Sequence, residues 1–445
     1  MTGARSFLAR LSLVAGVGLI LRVAVVLTPW RRDQAPGITD EGFYHLQAKA
    51  LAAGHWFASP FVWVAQHRTE QSAGHPPLYS IVLAGPAALG LDGPLANRVV
   101  TLLIGTALVV AIGFLGREIA GDRVGLAAAA IAALYPHLWI SDTAISPESL
   151  YCLMLVLGLI AGFRLWREPT FRHALALGAA LSLAALTRSE GLLLFPLVAL
   201  PFVLVARGAD WSRRVRLAGA VAGIVLVLAG PWVLRNLLTF EKPTFMATGG
   251  GQVVAYGNCD RTYSGEFLGY WHDQCALKHW PPGDESVIGD AFQRKGLDYM
   301  EAHAGRVPVV VAARIGRVWD VFRPIQSIRL DSFFERRGLW PSRLGLAAYY
   351  VLLVPAIYGV VALRRRKVPI SPFVGIVVLV TLTAAGTFGV TRYRAPFDAV
   401  LPVLAAVGVD ALLARRRAQP AAAAAVPEAP SAAVPAEQVK VPSAQ

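Results

Sequence analysis

Long apolar runs separated by polar connections dominate the chain. Each run approaches the roughly 20 residues that a helix needs to cross the hydrocarbon core of a bilayer at about 1.5 Å per residue. A backbone in lipid must pair its polar groups within its own segment, so the runs are predicted to be α-helices. The pattern predicts an all-α integral membrane protein with about 10 transmembrane helices (9–11), at residues 11–29, 96–116, 124–141, 148–166, 173–187, 191–206, 217–234, 344–363, 368–390 and 395–414.

Two long polar stretches interrupt these spans. The first, 30–95, follows the first span, and the second, 239–343, separates the seventh span from the eighth. They divide the chain into four parts. We predict an N-terminal transmembrane module, a small loop domain, a C-terminal group of transmembrane helices and a disordered Ala/Pro-rich tail, over residues 1–238, 239–343, 344–414 and 415–445.

Three segments of these stretches have a local pattern of their own. Residues 77–91 are apolar, and we predict an interfacial or re-entrant helix that belongs to the first loop. The glycines of 246–258 indicate turns and short extended pieces. Residues 285–322 have helical patterning, in which Arg314 and Arg317 alternate with apolar positions. That alternation predicts an amphipathic helix resting on the outer leaflet.

Composition agrees with a membrane protein and changes how the charge is interpreted. Hydrophobic residues make up 55% of the chain and charged residues 16%, against roughly 25% charged residues in soluble domains. The mean hydropathy is +0.52. A formal net charge of +14 suits a nucleic-acid-binding protein, but most of the cations lie in short connections between apolar runs. We therefore interpret them as topology signals and not as a DNA-binding surface.

The distribution of these cations predicts the orientation of the chain. They are concentrated on one side of the predicted bundle, in residues 1–10, 117–123, 164–172, 207–216, 364–367 and 415–417. The short connections on the other side contain only Arg188, Arg392 and Arg394. The positive-inside rule then places both termini in the cytoplasm and both long loops outside it. A crossing at 77–91 would invert every later loop, so this segment is predicted not to cross.

Three cysteines set no disulfide framework. Cys152 lies within an apolar run, whereas Cys259 and Cys275 lie in the second long loop. If that loop is extracytoplasmic, the two form one disulfide, and two free thiols are the alternative. No set of His and Cys residues has the spacing of zinc ligands.

The unusual polar residues fall on the predicted extracytoplasmic side. Asp40 and Tyr44 are four residues apart, which places them on one face of a short helix. Ionisable groups at the ends of membrane helices are costly to desolvate and usually serve a purpose. Their convergence therefore indicates a site on this side, to which separate segments contribute Glu41, His75, Glu148, Arg188, Glu190, Arg235, Arg392 and Arg394.

Two chemical roles suit this set of residues. Asp40, in the first loop, is the candidate catalytic carboxylate, with Glu41 as its supporting or solvated neighbour. The arginines suit a phosphate, because the guanidinium matches phosphate oxygens with paired hydrogen bonds. Each residue also has a structural alternative: helix capping for Asp40 and Glu148, hydrogen bonding within the protein for His75, and interfacial anchoring for any single arginine.

Short motifs on the same predicted side occur in a fixed order: Asp40-Glu41-x-x-Tyr44, Gly-His-Pro-Pro-Leu-Tyr, Ser-Pro-Glu-Ser, Leu-Thr-Arg-Ser-Glu-Gly, Gly-Pro-Trp-x-x-Arg-Asn and Arg-Tyr-Arg-x-Pro. In this order they resemble the multi-pass C-type (GT-C) glycosyltransferases. Within that group the chain is most similar to the bacterial glycosyltransferase family 39, which is related to protein O-mannosyltransferases and to the aminoarabinose transferases of lipid A. The resemblance extends over about residues 11–412.

The resemblance implies a GT-C fold and an inverting transfer of one sugar. The donor would be a polyprenyl-phosphate sugar, and the acceptor an extracytoplasmic lipid, glycan or protein. Asp40 matches the first-loop catalytic acid, and Glu148 matches the second-loop acid. The other residues of the set, Glu41, Tyr44, His75, Arg188, Glu190, Arg235, Arg392 and Arg394, are then expected to contact substrate or carrier phosphate.

No cofactor is implied by the resemblance. A divalent metal held by two acids is the less favoured alternative. The implied location is the bacterial inner membrane, with a multi-pass chain, cytoplasmic termini and an extracytoplasmic site.

A transporter or flippase of lipid-linked sugars is the alternative function. It predicts ionisable residues near the bilayer midplane and an internal repeat. The chain shows no internal repeat, and most ionisable residues lie at one leaflet, with Arg22, Asp398 and Asp410 as exceptions. We therefore favour the enzyme.

Overall fold

The computed structural model describes residues 2–28, 31, 37 and 39–424, and most of these residues are helical. Within that part of the chain the β structure consists of one isolated antiparallel bridge between Ala58 and Gln71. The predicted all-α membrane fold is confirmed. The predicted tail differs in its first part, because the last helix, Ala395–Ala424, continues through 415–424. Alanine has the highest intrinsic helix propensity, which suits that continuation. The rest of the tail lies outside the described residues.

Among the described residues, six helices are long and apolar enough to cross a membrane, and a seventh span is counted if one bent pair is taken as a single crossing. The bent pair is Asp122–Leu134 and Pro136–Asp142, which meet at 62° where Pro136 interrupts the helix. The six long spans are Arg5–Val26, Pro94–Ala120, Glu148–Arg167, Trp211–Thr239, Leu339–Arg365 and Thr391–Arg416.

The other three predicted spans correspond to shorter apolar helices. Their bounds are Phe171–Ala185, Ser189–Leu204 and Ser371–Gly386. At about 1.5 Å per residue each is shorter than a hydrocarbon core of about 30 Å. The total of about ten transmembrane helices therefore stays a prediction.

Close helix contacts depend on small residues at defined positions. A Cβ atom added to Gly408 would lie 1.9 Å from the carbonyl oxygen of Pro355, and one added to Gly359 would lie 2.0 Å from that of Leu404. The helices Leu339–Arg365 and Ala395–Ala424 thus meet backbone to backbone. Small residues at such crossings are typical of membrane helices, which associate through close packing.

The arginine-rich connections lie together at one end of the bundle. Arg164 contacts Glu118 across two connections, with 3.2 Å between Nε and Oε2. Arg213 donates through Nη2 to the carbonyl oxygen of Pro169 at 2.9 Å. The connections 117–123, 164–172 and 207–216, which the charge distribution assigned to the cytoplasmic side, therefore contact one another.

The apolar segment 77–91 of the first loop forms the helix Leu78–Ala88, and the chain on both sides of it returns to the helix Asp40–Ala52. Before it, Nε2 of His75 lies 3.6 Å from Asp40. After it, Nδ2 of Asn97 lies 3.0 Å from Nδ1 of His45. Both flanks therefore contact the same helix, and that the segment does not cross stays a prediction.

The second long stretch contains short helices where the sequence predicted turns. The prediction for 246–258 is wrong, because Gly250–Gly257 is helical. A Cβ atom added to Gly251 would lie 1.9 Å from the carbonyl oxygen of Gly289, in the helix Glu285–Ala302. The glycine there serves close packing between two helices, which sequence patterning alone does not distinguish from a turn.

The amphipathic helix predicted within 285–322 is present as Val307–Val318, but its arginines face the protein. Arg314 and Arg317 are 1% and 0% exposed. Arg314 donates to the carbonyl oxygen of Gly257 at 2.6 Å, and Arg317 donates to that of Leu268 at 2.7 Å. Both guanidinium groups therefore satisfy backbone carbonyls of neighbouring turns. That the helix rests on the outer leaflet stays a prediction.

The remaining helical elements connect these parts or close the second stretch. The shorter α-helices are Pro60–Gln66, Leu200–Leu204, Asp260–Tyr263 and Pro324–Phe334, and the 3₁₀ or π segments are Ser189–Leu193, Phe195–Ala199, Asp273–Cys275 and Thr391–Arg394. Within the second stretch Cys259 and Cys275 form a disulfide, with 5.6 Å between their Cα atoms. Of the two alternatives that the sequence left open, the structure has the disulfide.

Candidate active site

The candidate site begins at the first turn of the helix Asp40–Ala52. Thr39 occupies the N-cap, and its hydroxyl accepts the backbone N–H of Gly42 at 3.5 Å. The capping role proposed as the alternative for Asp40 therefore belongs to Thr39. This leaves the carboxylate of Asp40 free to point away from the helix end.

Asp40 is held by two cationic or polar partners. Its Oδ2 accepts a hydrogen bond from Nη2 of Arg392 at 2.7 Å, and its Oδ1 lies 3.6 Å from Nε2 of His75. The side chain of Asp40 remains 38% exposed. It is thus fixed in orientation and still accessible to a substrate.

Arg392 connects Asp40 to two further carboxylates. Its Nη1 lies 3.0 Å from Oε2 of Glu335, and its Nε lies 3.9 Å from Oε1 of Glu148. Residues of the first loop, of two spanning helices and of the second long stretch therefore meet at one guanidinium. We call Asp40, Glu148, Glu335, Arg188 and Arg392 the ion cluster.

Glu148 has a supporting position in this cluster. It begins the helix Glu148–Arg167, is 3% exposed, and accepts hydrogen bonds from Ser146 and Arg188. Arg188 also donates through Nε to Glu190 at 2.5 Å. Since its oxygens are occupied and buried, Glu148 is better placed to orient the arginines than to contact an acceptor.

Glu335 is the residue of the cluster that the sequence analysis missed. It follows the helix Pro324–Phe334, and its Oε1 accepts the indole N–H of Trp271 at 3.0 Å. Its position in a polar loop on the predicted extracytoplasmic side was the one available signal. The pairing with Arg392 spans 57 residues of sequence and depends on the tertiary fold.

Opposite shifts in pKa follow from these surroundings. Burial alone would raise the pKa of Asp40, but Arg392 and His75 outweigh it and hold the pKa well below the usual range. For Glu335 burial outweighs the attraction of Arg392, so its pKa is raised. Asp40 is therefore the more readily ionised of the two carboxyl groups.

A cleft opens beside the ion cluster. It measures about 440 Å³, including the part open to solvent. Its charged lining comprises four acids and three arginines, namely Asp40, Glu41, Glu148, Glu335, Arg31, Arg337 and Arg392. Arg31 and Arg337 were not among the predicted site residues.

Of the two predicted site residues near Asp40 in sequence, Glu41 lines the cleft and Tyr44 does not. The Oε1 atom of Glu41 lies 3.9 Å from Nη1 of Arg31, and Glu41 lines the cleft. Tyr44 is 1% exposed, and its ring lies 4.9 Å from the rings of both His75 and Tyr79. Burial, followed by the charge of Asp40, raises the pKa of Tyr44 well above its usual value. Tyr44 thus supports the ring of His75 and does not line the cleft.

Arg394 is not part of the ion cluster, although it is two residues from Arg392. It is 0% exposed, and its Nη1 donates to Asp320 at 2.6 Å while its Nε donates to Asp398 at 3.2 Å. The turn Thr391–Arg394 directs the two arginines to different partners. The expectation that Arg394 contacts carrier phosphate is not supported by this position.

Arg235 also lies apart from the cleft. Its Nη2 donates to the side-chain oxygen of Gln71 at 2.5 Å, and its Nη1 donates to the carbonyl oxygen of Ser72 at 3.1 Å. The guanidinium carbon lies 5.1 Å from the ring of Trp232. Arg235 therefore fixes the first loop against the helix Trp211–Thr239.

The carboxylates of the ion cluster, which could in principle bind a divalent metal, pair with arginines instead. Within the part of the chain that the structure describes, no group of three or more His, Cys, Asp or Glu residues is arranged to hold a metal ion. Transfer without a metal stays a prediction.

Comparison with known proteins agrees with the resemblance drawn from the motifs. The family described as dolichyl-phosphate-mannose-protein mannosyltransferase matches residues 74–234, about a third of the chain. A curated relative, the lipid A galacturonosyltransferase RgtD of Rhizobium johnstonii, is 26% identical over 329 residues. That match covers 72% of this chain and 57% of the relative, so the chain matches little more than half the length of that protein.

Solved structures of an archaeal enzyme have the same fold. The oligosaccharyltransferase AglB of Archaeoglobus fulgidus, bound to an inhibitory peptide and a dolichol-phosphate, superposes with a TM-score of 0.55 and 15% identity, over 96% of this chain and 52% of that one. Its apo form gives a TM-score of 0.56 with 14% identity, over 94% and 52%. By motif, family match and fold, the chain is a multi-pass helical membrane protein with the GT-C fold and is similar to the mannosyltransferases and lipid A glycosyltransferases of that class.

Proposed function

We propose that this protein is an inverting glycosyltransferase that moves a sugar from a polyprenyl-phosphate donor to an extracytoplasmic acceptor. The names of its relatives support this class: one is a lipid A galacturonosyltransferase, and the archaeal enzyme was solved with a dolichol-phosphate. The acceptor is a lipid, a glycan or a protein.

The observation that carries the proposal is the position of Asp40. Its carboxylate is partly exposed beside a cleft at the ends of the spanning helices, and Arg392 holds it at 2.7 Å. A fixed, accessible carboxylate next to buried cations is what proton transfer and charge stabilisation require.

The proposed reaction uses these groups in one displacement. The Asp40 carboxylate accepts the proton of an acceptor hydroxyl or amine as that atom attacks the anomeric carbon. The bond between the anomeric carbon and the phosphate oxygen breaks, and its electron pair stays on the departing carrier phosphate. Since a phosphate monoester leaves as an anion, cationic groups at the cleft suffice and no leaving-group acid is needed.

The disulfide and the arginine-rich end support the proposed location. Disulfides form in oxidising compartments outside the cytoplasm. The Cys259–Cys275 segment contains Trp271, which contacts Glu335 in the ion cluster, so disulfide and cluster lie at the same end. The arginine-rich connections lie at the other end, as the positive-inside rule expects for cytoplasmic termini. We infer a bacterial inner-membrane protein whose site faces outward.

The ionisable residues that suggested a transporter are paired within the bundle. Nη2 of Arg22 lies 2.6 Å from Asp142, and both are almost fully buried. Asp398 accepts a hydrogen bond from Arg394, and the carboxylate of Asp410 lies 4.0 Å from the guanidinium of Arg366. Such pairs are explained by structural roles. No observation on these residues favours transport over transfer.

The test is sugar transfer in proteoliposomes that contain the purified protein, a radiolabelled polyprenyl-phosphate sugar and candidate acceptors. Asp40→Asn keeps the shape of the side chain and removes its basicity, so we expect transfer to fall by about 10²- to 10⁴-fold. Glu70→Gln is the matched control, because Glu70 is exposed and its carboxylate pairs with the neighbouring, exposed Arg68.

Three results are distinguishable in this assay. Loss of transfer in Asp40→Asn with transfer retained in Glu70→Gln supports the proposal. Full activity of a folded Asp40→Asn protein removes Asp40 from the reaction. Movement of labelled carrier between leaflets without consumption of donor would replace the enzyme with the transporter.

A further inference from the structure

His75 lies in an irregular part of the first loop. Residues 72–77 precede the helix Leu78–Ala88 and belong to no helix or strand. The N–H of Ser72 donates to the carbonyl oxygen of Phe57 at 2.8 Å, which fixes the beginning of this segment. Buried backbone groups outside regular structure must find partners elsewhere in the fold. The position of His75 therefore depends on tertiary contacts of the residues just before it.

Glu285, in the second long stretch, supplies such a contact. Its Oε2 accepts the backbone N–H of Ala73 at 3.0 Å and the hydroxyl of Thr248 at 3.0 Å. The N–H of Thr248 in turn donates to the carbonyl oxygen of Ala73 at 2.8 Å. Both backbone groups of Ala73 are thus paired across the fold, over 212 residues of sequence in the case of Glu285.

Glu285 is not needed to begin its own helix, Glu285–Ala302. Asp284 occupies the N-cap and accepts the backbone N–H groups of Ser286 at 2.9 Å and Val287 at 3.2 Å. An acid in the first turn of a helix is usually stabilised by the helix dipole and by water. The carboxylate of Glu285 is directed to the first loop instead, which calls for an explanation from the site that this loop carries.

Gly74 connects Ala73 to His75 and is closely packed on two sides. A Cβ atom added to Gly74 would lie 3.1 Å from the ring of Phe43, in the helix that begins with Asp40. One added to Gly249 would lie 2.8 Å from the carbonyl oxygen of Gly74. Tightly packed groups transmit a displacement because there is no free space to absorb it. A shift of Ala73 therefore moves His75 as well.

His75 borders one oxygen of Asp40, and Arg392 binds the other. Arg392 donates to Oδ2 at 2.7 Å, whereas Nε2 of His75 lies 3.6 Å from Oδ1. Burial raises the pKa of Glu285, and hydrogen bonds from its neighbours together with the charge of His75 oppose this rise. Glu285 and His75 are therefore within electrostatic range of each other. The imidazole thus lies between the carboxylate of the candidate base and a second carboxylate from the other loop.

We propose that Glu285 is a positioning residue for sugar transfer: through Ala73 it holds His75 where the imidazole orients the carboxylate of Asp40. The inference rests on the proposed glycosyltransferase function. Among the described residues, those that line the cleft do not include Glu285, so it acts on the reaction without touching substrate. Loss of the contact lowers kcat, which depends on the geometry of the base, and leaves the KM of the donor unchanged.

The variants are Glu285→Ala, which removes the acceptor, and Glu285→Gln, which keeps a side-chain oxygen that can accept both hydrogen bonds. Glu301→Ala is the matched control, since Glu301 is an exposed acid in the same helix. Each substitution is made in the wild type and in a His75→Ala background. Transfer from a radiolabelled polyprenyl-phosphate sugar is measured in proteoliposomes at varied donor concentration, and thermal unfolding in detergent confirms that each variant is folded.

For Glu285→Ala we expect kcat to fall by about 10- to 100-fold at an unchanged donor KM, the range that a displacement of about 1 Å at a catalytic group produces. Glu285→Gln should recover most of this loss, and Glu301→Ala should match the wild type. In the His75→Ala background Glu285→Ala should lower kcat no further, because its effect passes through the imidazole. A merely structural role would give the same further loss in both backgrounds.

An unchanged kcat in a folded Glu285→Ala protein would overturn the positioning role. An equal further loss in the His75→Ala background, or a raised donor KM at unchanged kcat, would overturn it as well. If Glu285→Ala does not fold, Thr248→Val replaces it, since the hydroxyl of Thr248 holds the same carboxylate, and a kcat equal to that of the wild type then rejects the role. Failure of the wild type to transfer sugar refutes the proposed function, which is a different result from an unaffected variant of an active enzyme.

Discussion

Arg392 is the residue through which the candidate site is assembled. It is 23% exposed and lies within 4.0 Å of Asp40, Glu148 and Glu335, which come from three different parts of the chain. Burial of several carboxylates at one place is tolerated because a guanidinium donates to more than one of them. The same contact sets the protonation of Asp40, so the position of one arginine has a measurable consequence for pH dependence.

Arg392→Gln should move the acidic limb of the pH profile of kcat/KM to higher pH. Asp40 has a pKa held well below its usual value, chiefly because Arg392 opposes the effect of burial. Without that charge, burial raises the pKa of Asp40 and the base becomes protonated at a higher pH. Profiles of wild type, Arg392→Gln and the control Arg343→Gln, which replaces an exposed arginine, check this shift when they extend below about pH 3.9, the usual pKa of an aspartate.

The free energy of unfolding should fall when Arg392 is replaced by glutamine, because the pair with Asp40 is lost. A depressed native pKa means that the pair stabilises the folded protein above the pKa of the unfolded carboxyl, about 3.9, and that this contribution is lost as pH falls through the native pKa. Arg392→Gln removes this contribution to stability at neutral pH.

Identical acidic limbs in the kcat/KM profiles of Arg392→Gln and wild type would contradict the coupling between Arg392 and Asp40.

At the scale of elements, the segment closed by the disulfide supports the ion cluster from outside the spanning helices. Tyr270 donates to Asp331 at 2.9 Å, and Asp331 in turn accepts the hydroxyl of Thr391 at 2.6 Å, next to Arg392. Trp271 donates to Glu335 at 3.0 Å. Two consecutive aromatic residues thus connect the second long stretch to the start of the last span.

Replacing Cys259 and Cys275 together with serine should lower both stability and transfer. The disulfide joins residues 16 positions apart, and closing a loop of about that length stabilises a folded protein by about 3 kcal/mol in the chain-entropy account. Loosening the segment also releases Trp271 from Glu335. Thermal unfolding and transfer rates measure the two effects, with Cys152→Ala as the control, since Cys152 is the free, buried cysteine. Unchanged transfer in the double variant would show that the segment does not position the cluster.

At the scale of the whole molecule, the two ends of the bundle differ in charge chemistry. One end carries short connections rich in arginine, such as 207–216 and 364–367. The other carries the cleft, in which acids and arginines are paired. The first pattern suits contact with the cytoplasmic leaflet and the second suits a site for a polar reaction.

Single cysteines at the two ends should report opposite sides of the membrane. In a Cys152→Ala background, Glu70→Cys lies at the cleft end and Arg172→Cys at the arginine-rich end, and both positions are exposed. An impermeant maleimide added to intact spheroplasts should label Glu70→Cys alone and should reach Arg172→Cys only after permeabilisation. Labelling in the reverse order would invert the proposed orientation.

Much of this architecture was predictable from sequence because it depends on local hydropathy. Apolar length identifies helices such as Pro94–Ala120 and Trp211–Thr239, since lipid leaves the backbone no alternative to the helix. The placement of Asp40, Glu148, Arg188 and Arg392 on one side also follows from counting crossings and cations. Glycines were harder to interpret, because Gly251 permits close packing of two helices and the same residue type is typical of turns.

The sequence by itself determined the all-helical membrane fold, the side on which the polar residues gather, and the first-loop carboxylate as the candidate base. Only the tertiary structure decided which charges meet: Arg392 contacts Asp40 across 352 residues of sequence, Arg394 turns to Asp320, and Glu335 enters the cluster from the second stretch. Hydropathy acts locally along the chain, whereas ion pairing and burial depend on distances that exist only after the helices have packed.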